Sequence, residues 1–129
     1  MESVLHYLEK GITLIGVRIK PLPTAWQHSI TGDEIRAVIS YPLLRYGITT
    51  AYADADTYMF IGGMQNEPWL EIAAEDEGGI TWAVFHAMVL TPRVAHEVFE
   101  MSGGIIDLRD DLSPQRPYIG PQYGRGEEI

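Results

Sequence analysis

The sequence predicts an α+β fold, in which an antiparallel sheet of four to five strands carries helices packed against it. Four apolar runs follow one another between residues 43 and 90, and short turns rich in Asp, Asn and Gly separate them. Turns of this kind favour antiparallel hairpins over long crossover connections. Two amphipathic helix patterns flank the four runs, one before and one after them.

The first helix pattern begins at Thr31 and ends near Tyr41. Thr31 is a typical N-cap residue, and Glu34 three positions later completes a capping box. Pro42 cannot continue a helix, which places its end at the preceding residue. One apolar face is formed by three residues at helical spacing, which are Ile35, Val38 and Ile39.

Five runs have the composition of β-strands. An early one covers residues 13–19, and the four that follow the first helix cover 43–52, 57–63, 69–75 and 80–90. The last run is apolar on both faces, which indicates a strand inside the sheet or one covered on both sides. The acidic stretch Glu75 to Glu77 before it is predicted to be a solvated hairpin tip.

The second helix pattern opens with Thr91 as N-cap and Pro92 at the first helical position. Gly103 and Gly104 are predicted to end it, because glycine is the usual residue after a helix. Its predicted buried stripe consists of Val94, Ala95, Val98 and Phe99.

A length of 129 residues predicts one domain. We assign it to residues 1–106, beginning with a short helix over the first ten. Residues 107–129 are rich in Pro, Gly and charge, and are predicted to be a disordered tail or an extended arm that orders on a partner. Tyr118 and Tyr123 could anchor such an arm against another chain.

The net charge of −9 disfavours tight, non-specific binding of nucleic acid by the free chain, because proteins usually neutralise phosphates with clustered Lys and Arg. The acidic surface suits a solvated monomer or a basic protein partner. A homodimer is a further candidate assembly. The lack of cysteine excludes disulfides and fits a reducing cytoplasm. No apolar run is long enough to span a membrane, and the N-terminus lacks the basic segment of a signal peptide. We therefore expect no contact with a membrane.

The order of helix, four-stranded meander and helix resembles the BrnT family of bacterial toxins, which are ribonucleases with a RelE-like fold. The resemblance covers about residues 28–100. HSITGDEI is similar to the family's H-G-[VI]-S-x-E-E-A opening of the first helix, with Ser29 in place of the glycine. The other matching stretches are Tyr41-Pro42, TYMFIG at 57–62, PWLEIAAEDEG at 68–78 and VFHAMVLT at 84–91.

The resemblance implies an endoribonuclease of a toxin–antitoxin pair, whose partner would be an antitoxin, most often a DNA-binding protein. Three further positions depart from the family pattern. Thr57 and Met88 replace arginines, and Val94 replaces a glutamate. Since two of these changes remove cations that would steady a phosphate, a second hypothesis is a non-catalytic interaction module on the same fold.

RNA cleavage by attack of a 2′-hydroxyl needs a base for that hydroxyl and an acid for the leaving oxygen. It also needs a cation to stabilise the negatively charged phosphorane. His86 is the leading candidate for base or acid, because an unperturbed imidazole has a pKa of about 6.5. Strand alternation predicts that it shares an apolar face with Trp82, Val84 and Met88. A buried neutral imidazole with one hydrogen-bond partner is the structural alternative.

His28 is the second catalytic candidate, and turn or capping roles are its alternatives. Arg93, Arg45 and Tyr46 are candidate phosphate contacts. A solvated side chain is the alternative for Arg93, and an edge-strand charge is the alternative for Arg45.

Three other groupings of residues are candidates for a pair, a metal site or a pocket. His96 and Glu100, four residues apart on the second helix, predict a surface pair. A metal site of His28, His86 and an acid lacks the HExxH spacing, and no metal or cofactor is predicted. A small-molecule pocket containing His86, Trp82 and Tyr46 is a third functional hypothesis.

Overall fold

The structure is a computed structural model that describes residues 18–52, 54–120 and 129. Its elements, in chain order, are β1 (Arg18–Pro21), a 3-10 helix (Pro23–Trp26), α1 (Gly32–Ser40), β2 (Leu44–Ile48), β3 (Thr57–Gly62), β4 (Leu70–Glu77), β5 (Thr81–Val89) and α2 (Pro92–Met101). The predicted α+β class is confirmed. The helix predicted over the first ten residues and most of the strand predicted at 13–19 lie outside the described residues. No helix of the described part is long and apolar enough to cross a bilayer.

The five strands form one mixed sheet in the order β1-β5-β4-β3-β2. Strands β2 to β5 make the predicted antiparallel meander. The edge strand β1 instead runs parallel to β5, with Arg18 opposite Thr81, so the prediction of a wholly antiparallel sheet is wrong there. A tight hairpin would force β1 and β5 to be antiparallel. Since α1 and the other strands lie between them in the chain, the connection is long enough for them to pair in parallel. β5 lies inside the sheet, as its two-sided apolar pattern predicts.

Each face of the sheet is covered by one helix. On the α1 face, Ile35 and Val38 of the helix pack with Phe60 and Ile72 of the strands. On the α2 face, the helical residues Val94, Ala95 and Val98 pack with strand residues that include Ile61 and Ala73. Period-two alternation in the strands supplies both faces, which makes this a three-layer arrangement.

A β-bulge in β5 reverses its alternation. Ala73 of β4 lies opposite His86, and the next residue, Ala74, lies opposite Val84, so Phe85 is an extra residue in the ladder. As a result Val84 belongs to the α1 face, while His86 lies with Ala73 on the α2 face. The prediction that His86 shares a face with Trp82 and Val84 is therefore wrong, because strict alternation does not hold across the bulge.

Both predicted helix beginnings are confirmed. The Thr31 hydroxyl accepts a hydrogen bond from the Glu34 N–H at 3.1 Å, and the Glu34 carboxylate accepts one from the Thr31 N–H at 3.0 Å. Thr91 caps α2 in the same way through the Val94 N–H. At the other end of α2, Gly104 has a φ of 84° and its N–H donates to the Phe99 carbonyl at 2.7 Å. Phe99 itself is only half-buried.

Residues 107–120, which we call the C-terminal arm, contain no helix or strand and lie against the domain. Leu108 is buried in the α2-side core. The Gln115 side-chain amide donates to the Val89 carbonyl at 2.8 Å. Further along, the Arg116 guanidinium forms two hydrogen bonds with the Glu34 carboxylate, at 2.7 and 2.9 Å. The described part of the arm thus packs on its own chain.

Candidate functional site

Glu71 is a buried carboxylate in the middle of β4, with only 1% of its surface exposed. It lies on the α2 face, below the start of α2. One carboxylate oxygen accepts hydrogen bonds from both the backbone N–H and the hydroxyl of Thr91, each at 2.7 Å. The beginning of a helix favours negative charge, because its free N–H groups and its dipole point toward the anion. The N-cap of α2 therefore holds Glu71 in place and stabilises its charge.

The second carboxylate oxygen of Glu71 lies 2.7 Å from Nε2 of His86. Burial acts to raise the pKa of Glu71, but the hydrogen bonds from His86 and Thr91 outweigh it and leave that pKa below its usual range. Glu71 is thus ionised at neutral pH, and an ionised carboxylate can only accept. The hydrogen between the two residues is carried by Nε2, and within the described part of the chain Nδ1 of His86 has no hydrogen-bond partner.

The His86 side chain is 30% exposed, so one part of the ring reaches solvent while Nε2 is bound to a buried acid. The alternative prediction for His86 is a buried imidazole with one hydrogen-bond partner. The contact with Glu71 agrees with the single partner, but the exposed part of the ring does not agree with full burial among apolar side chains. An imidazole oriented by a buried carboxylate and open on its other side is the arrangement that supports proton transfer in many enzymes.

The imidazole of His28 lies beside that of His86, with 6.3 Å between the ring centres. His28 follows the 3-10 helix, and that helix is held to the bulge of β5 by a 2.6 Å hydrogen bond from the Thr24 hydroxyl to the Phe85 carbonyl. Partial burial lowers the pKa of His28, and the neighbouring His86 lowers it further, against a smaller opposing effect of Glu71. His28 is therefore mostly neutral at pH 7.

Tyr118 of the C-terminal arm completes this group. Its ring centre is 5.3 Å from that of His28, and Tyr118 as a residue is 64% exposed. His28 thus has contacts with both His86 and Tyr118. We refer to Glu71, His86, His28 and Tyr118 together as the histidine site.

Arg45 lies far from this arrangement, on the opposite face of the sheet. It is opposite Phe60, a residue of the α1-side core. Its guanidinium carbon is 5.1 Å from the ring centre of Tyr58 and 5.7 Å from that of Trp82, so it covers aromatic surface through cation–π contacts. The structure does not bring Arg45 to the two histidines.

Tyr46 and Arg93 meet each other at a different place, a cavity of about 370 Å³ whose lining includes neither histidine. Both contact Glu97. The Tyr46 hydroxyl donates to one carboxylate oxygen at 3.0 Å, and the Arg93 guanidinium donates to the other at 2.8 Å. Burial and the bond to Glu97 raise the pKa of Tyr46 well above its usual value. An acidic side chain thus neutralises Arg93, and the phenol of Tyr46 keeps its proton.

The remaining sequence groupings are placed as follows. His96 and Glu100 form the predicted surface pair, with 3.3 Å between Nε2 and the carboxylate oxygen. Trp82 packs on the α1 face and Tyr46 on the α2 face, so the predicted pocket shared by Trp82, Tyr46 and His86 does not form. Across residues 18–52, 54–120 and 129, no group of three His, Asp or Glu side chains could hold a metal ion.

Two members of the histidine site were not predicted. The sequence places Glu71 only within the apolar strand WLEIAAE, although a carboxylate in the middle of an apolar run is a signal in itself. Tyr118 is suggested by the sequence as a candidate anchor against another chain, whereas the structure places it against His28 of its own chain.

The site therefore combines a carboxylate that is ionised, an imidazole bound to it with one nitrogen free, and a second imidazole that is neutral at pH 7. Such a group can accept one proton and donate another on the same bound molecule. Comparisons of the chain with models of known families, with curated proteins and with solved structures found no match.

Proposed function

We propose that this chain is an endoribonuclease of the BrnT-like, RelE-like type, which cleaves RNA without a metal ion. The observation that carries the proposal is the hydrogen bond between Glu71 and His86, with His28 6.3 Å from the His86 ring. At that separation the two imidazoles can contact oxygens of one phosphate group through ordinary hydrogen bonds, each about 2.7–3.2 Å long.

The two histidines would have complementary roles. His28 is neutral at pH 7 and takes the proton of the ribose 2′-hydroxyl, whose oxygen then attacks phosphorus. His86, as an imidazolium stabilised by ionised Glu71, gives a proton to the 5′-oxygen as its bond to phosphorus breaks. The products are a 2′,3′-cyclic phosphate and a free 5′-hydroxyl.

The charge of the chain predicts weak binding and slow turnover. The net charge is −9, and Arg93 and Arg116 are each paired with a carboxylate. No arginine salt bridge or cation–π contact in the described part involves the histidine site, so the charge on phosphorus would be met mainly by His86 itself. The same acidic surface suits a basic antitoxin, which would add the missing positive charge to the complex.

The backbone at Ser29 gives the family likeness further support. Ser29 has a φ of 59°, a left-handed conformation that favours glycine. It stands at the position where the BrnT motif H-G-[VI]-S carries its glycine. A turn of the same shape after the histidine would explain that glycine, and would present His28 as the family presents its own histidine.

The test is cleavage of a short single-stranded RNA in the presence of EDTA. We expect His86→Ala and His28→Ala each to lower the rate about 100-fold or more, since one general acid or base contributes about 10²–10⁴-fold. His96→Ala is the matched control, because His96 is an exposed histidine paired with Glu100 and should leave the rate unchanged. Detection of the 2′,3′-cyclic phosphate identifies the reaction.

The interaction module is the second candidate, and it is favoured because, among the described residues, no arginine forms a salt bridge or cation–π contact with the histidine site. This function predicts a stable complex with a partner protein and no RNA cleavage. If the purified chain cleaves no RNA, and the His86 signals in NMR do not respond to RNA, the endoribonuclease proposal is wrong and the module replaces it.

A further inference from the structure

Hydrogen bonds join the C-terminal arm to the segment around His28, both before and after Tyr118 in the chain. Just before it, Arg116 donates to the Ser29 carbonyl at 3.2 Å, and the Pro117 carbonyl accepts from the Ser29 hydroxyl at 3.2 Å. Just after it, the Ile119 N–H donates to the Gln27 carbonyl at 2.7 Å. The backbone at Tyr118 is therefore fixed relative to His28.

The ring of Tyr118 is nevertheless mostly outside the core. The exposed fraction of the residue is 64%, and among the described residues its hydroxyl has no hydrogen-bond partner. An aromatic ring usually stabilises a fold by removing a large apolar area from water. Here that gain is small, although the backbone is held by several hydrogen bonds. The arrangement keeps an open aromatic surface at a fixed place beside His28.

We propose that Tyr118 stacks on a nucleobase next to the phosphate held by His28 and His86. This inference rests on the proposed function, and it narrows the substrate to single-stranded RNA with an unpaired base at that position. Proteins bind unpaired bases by stacking them on exposed aromatic rings, and such stacking tolerates every base. It would also supply affinity that does not depend on positive charge, which suits a chain with a net charge of −9.

The first arm of the experiment measures binding without cleavage. A short oligonucleotide with 2′-deoxyribose at the cleavage position cannot react, and its binding is followed through the NMR ring signals of Tyr118 and His28. We expect the complete oligonucleotide to shift the signals of both residues. A second oligonucleotide, which lacks only the bases next to the phosphate at the cleavage position, should leave the Tyr118 signals unshifted. Equal responses to the two would overturn the stacking role, whether or not the chain cleaves RNA.

The second arm measures kcat and KM on cleavable RNA. Tyr118→Ala should raise KM on the order of 10- to 100-fold with little change in kcat, which corresponds to the loss of one base–aromatic stack. Tyr118→Phe should match the unchanged chain. Tyr52→Ala is the control, since Tyr52 is a similarly exposed tyrosine outside the histidine site.

A purely positioning role for Tyr118 makes a different prediction. If the ring only holds His28, Tyr118→Ala would lower kcat equally on substrates with and without the adjacent base, and that result overturns the proposal. Complete absence of cleavage by the unchanged chain would contradict the proposed function alone, because the binding arm still decides whether Tyr118 contacts a base.

Discussion

Two buried carboxylates, Glu34 and Glu71, each lie at the start of a helix and differ in their second partner. Glu34 completes the capping box of α1 and is bound by the Arg116 guanidinium, at 2.7 and 2.9 Å. Glu71 is bound by the N-cap residue of α2 and by the His86 imidazole. The pKa of both acids is lowered. For Glu34 the bond from Arg116 is the main cause, whereas for Glu71 hydrogen bonds must first offset a large effect of burial.

The difference lies in what the partner can do. A guanidinium keeps its charge at every ordinary pH, so the pair of Glu34 and Arg116 can only hold structure. An imidazole, unlike a guanidinium, can carry a proton or release it, and in the proposed function the pair of Glu71 and His86 passes one to the RNA. An acid at a helix start therefore fixes the C-terminal arm at one place and, in the proposed function, orients the general acid at the other.

The largest expected effect follows from Glu71→Gln. The amide keeps the shape of the side chain and can still accept from Thr91, but it carries no charge to stabilise a protonated His86. We expect RNA cleavage to fall about 100-fold or more, and the free energy of unfolding to fall by about 1–2 kcal/mol. Initial rates and urea denaturation measure the two quantities.

Glu100→Gln is the matched control for that change, since it replaces an exposed acid that is also paired with a histidine. Both its rate and its stability should stay close to those of the unchanged chain. A rate for Glu71→Gln within threefold of the control would show that the charge of Glu71 has no part in catalysis.

Arg116→Ala tests the structural role of the pair of Glu34 and Arg116. This change leaves buried Glu34 without its cation, and we expect a loss of about 2 kcal/mol in the free energy of unfolding. Arg109→Ala removes an exposed arginine paired with Asp107, and should cost less than about 1 kcal/mol. Urea denaturation of both variants gives the comparison, and equal losses would mean that burial of Glu34 adds nothing to its pair.

The smallest effect concerns pH. Because the pKa of His28 is lowered in the folded chain, the unfolded chain binds its proton first as pH falls below about 6.5, and the contribution of His28 to the free energy of unfolding decreases from there. The lowered pKa values of Glu34 and Glu71 act in a separate window. Their stabilisation is present above the unfolded carboxyl pKa of about 4.3 and is lost as pH falls through the folded values.

We therefore expect His28→Gln to lose less stability than the unchanged chain between pH 7 and pH 5.5, and to show the same steep loss below about pH 4.3. Urea denaturation at several pH values measures the two windows. A His28→Gln curve parallel to that of the unchanged chain over the upper window would contradict the lowered pKa of His28.

The helices could be predicted from sequence because their signals are local. The capping box of Thr31 and Glu34, the Thr91-Pro92 opening and the glycines after α2 all act within a few residues of the chain. Strand positions followed equally well from apolar runs. The pairing of β1 with β5 did not, since it joins segments about 60 residues apart and no turn between them fixes the direction.

The histidine site was only partly predictable for a related reason. His28 and His86 were named from their residue type and from the family likeness, but the acid that orients His86 comes from a neighbouring strand. Alternation placed His86 on the wrong face, because the bulge at Phe85 leaves no mark in a strand that is apolar on both sides. Arg45, Tyr46 and Arg93 were suggested by charge and hydroxyl chemistry alone, and neither property determines which face or cavity a residue occupies.

The bulge at Phe85 also bears on how this chain tolerates insertions and deletions. Removing Phe85 would leave Val84 opposite Ala74 and His86 opposite Ala73, so the ladder would become regular and His86 would stay on the face of Glu71. The deletion would, however, remove the Phe85 carbonyl that accepts the hydrogen bond of the Thr24 hydroxyl at 2.6 Å, and that bond holds the 3-10 helix before His28 to β5. A deletion of Phe85 should therefore keep the far-UV circular dichroism of a folded sheet and the contact between Glu71 and His86, while His28 loses its support. The extra residue thus serves the neighbouring segment more than the strand that contains it.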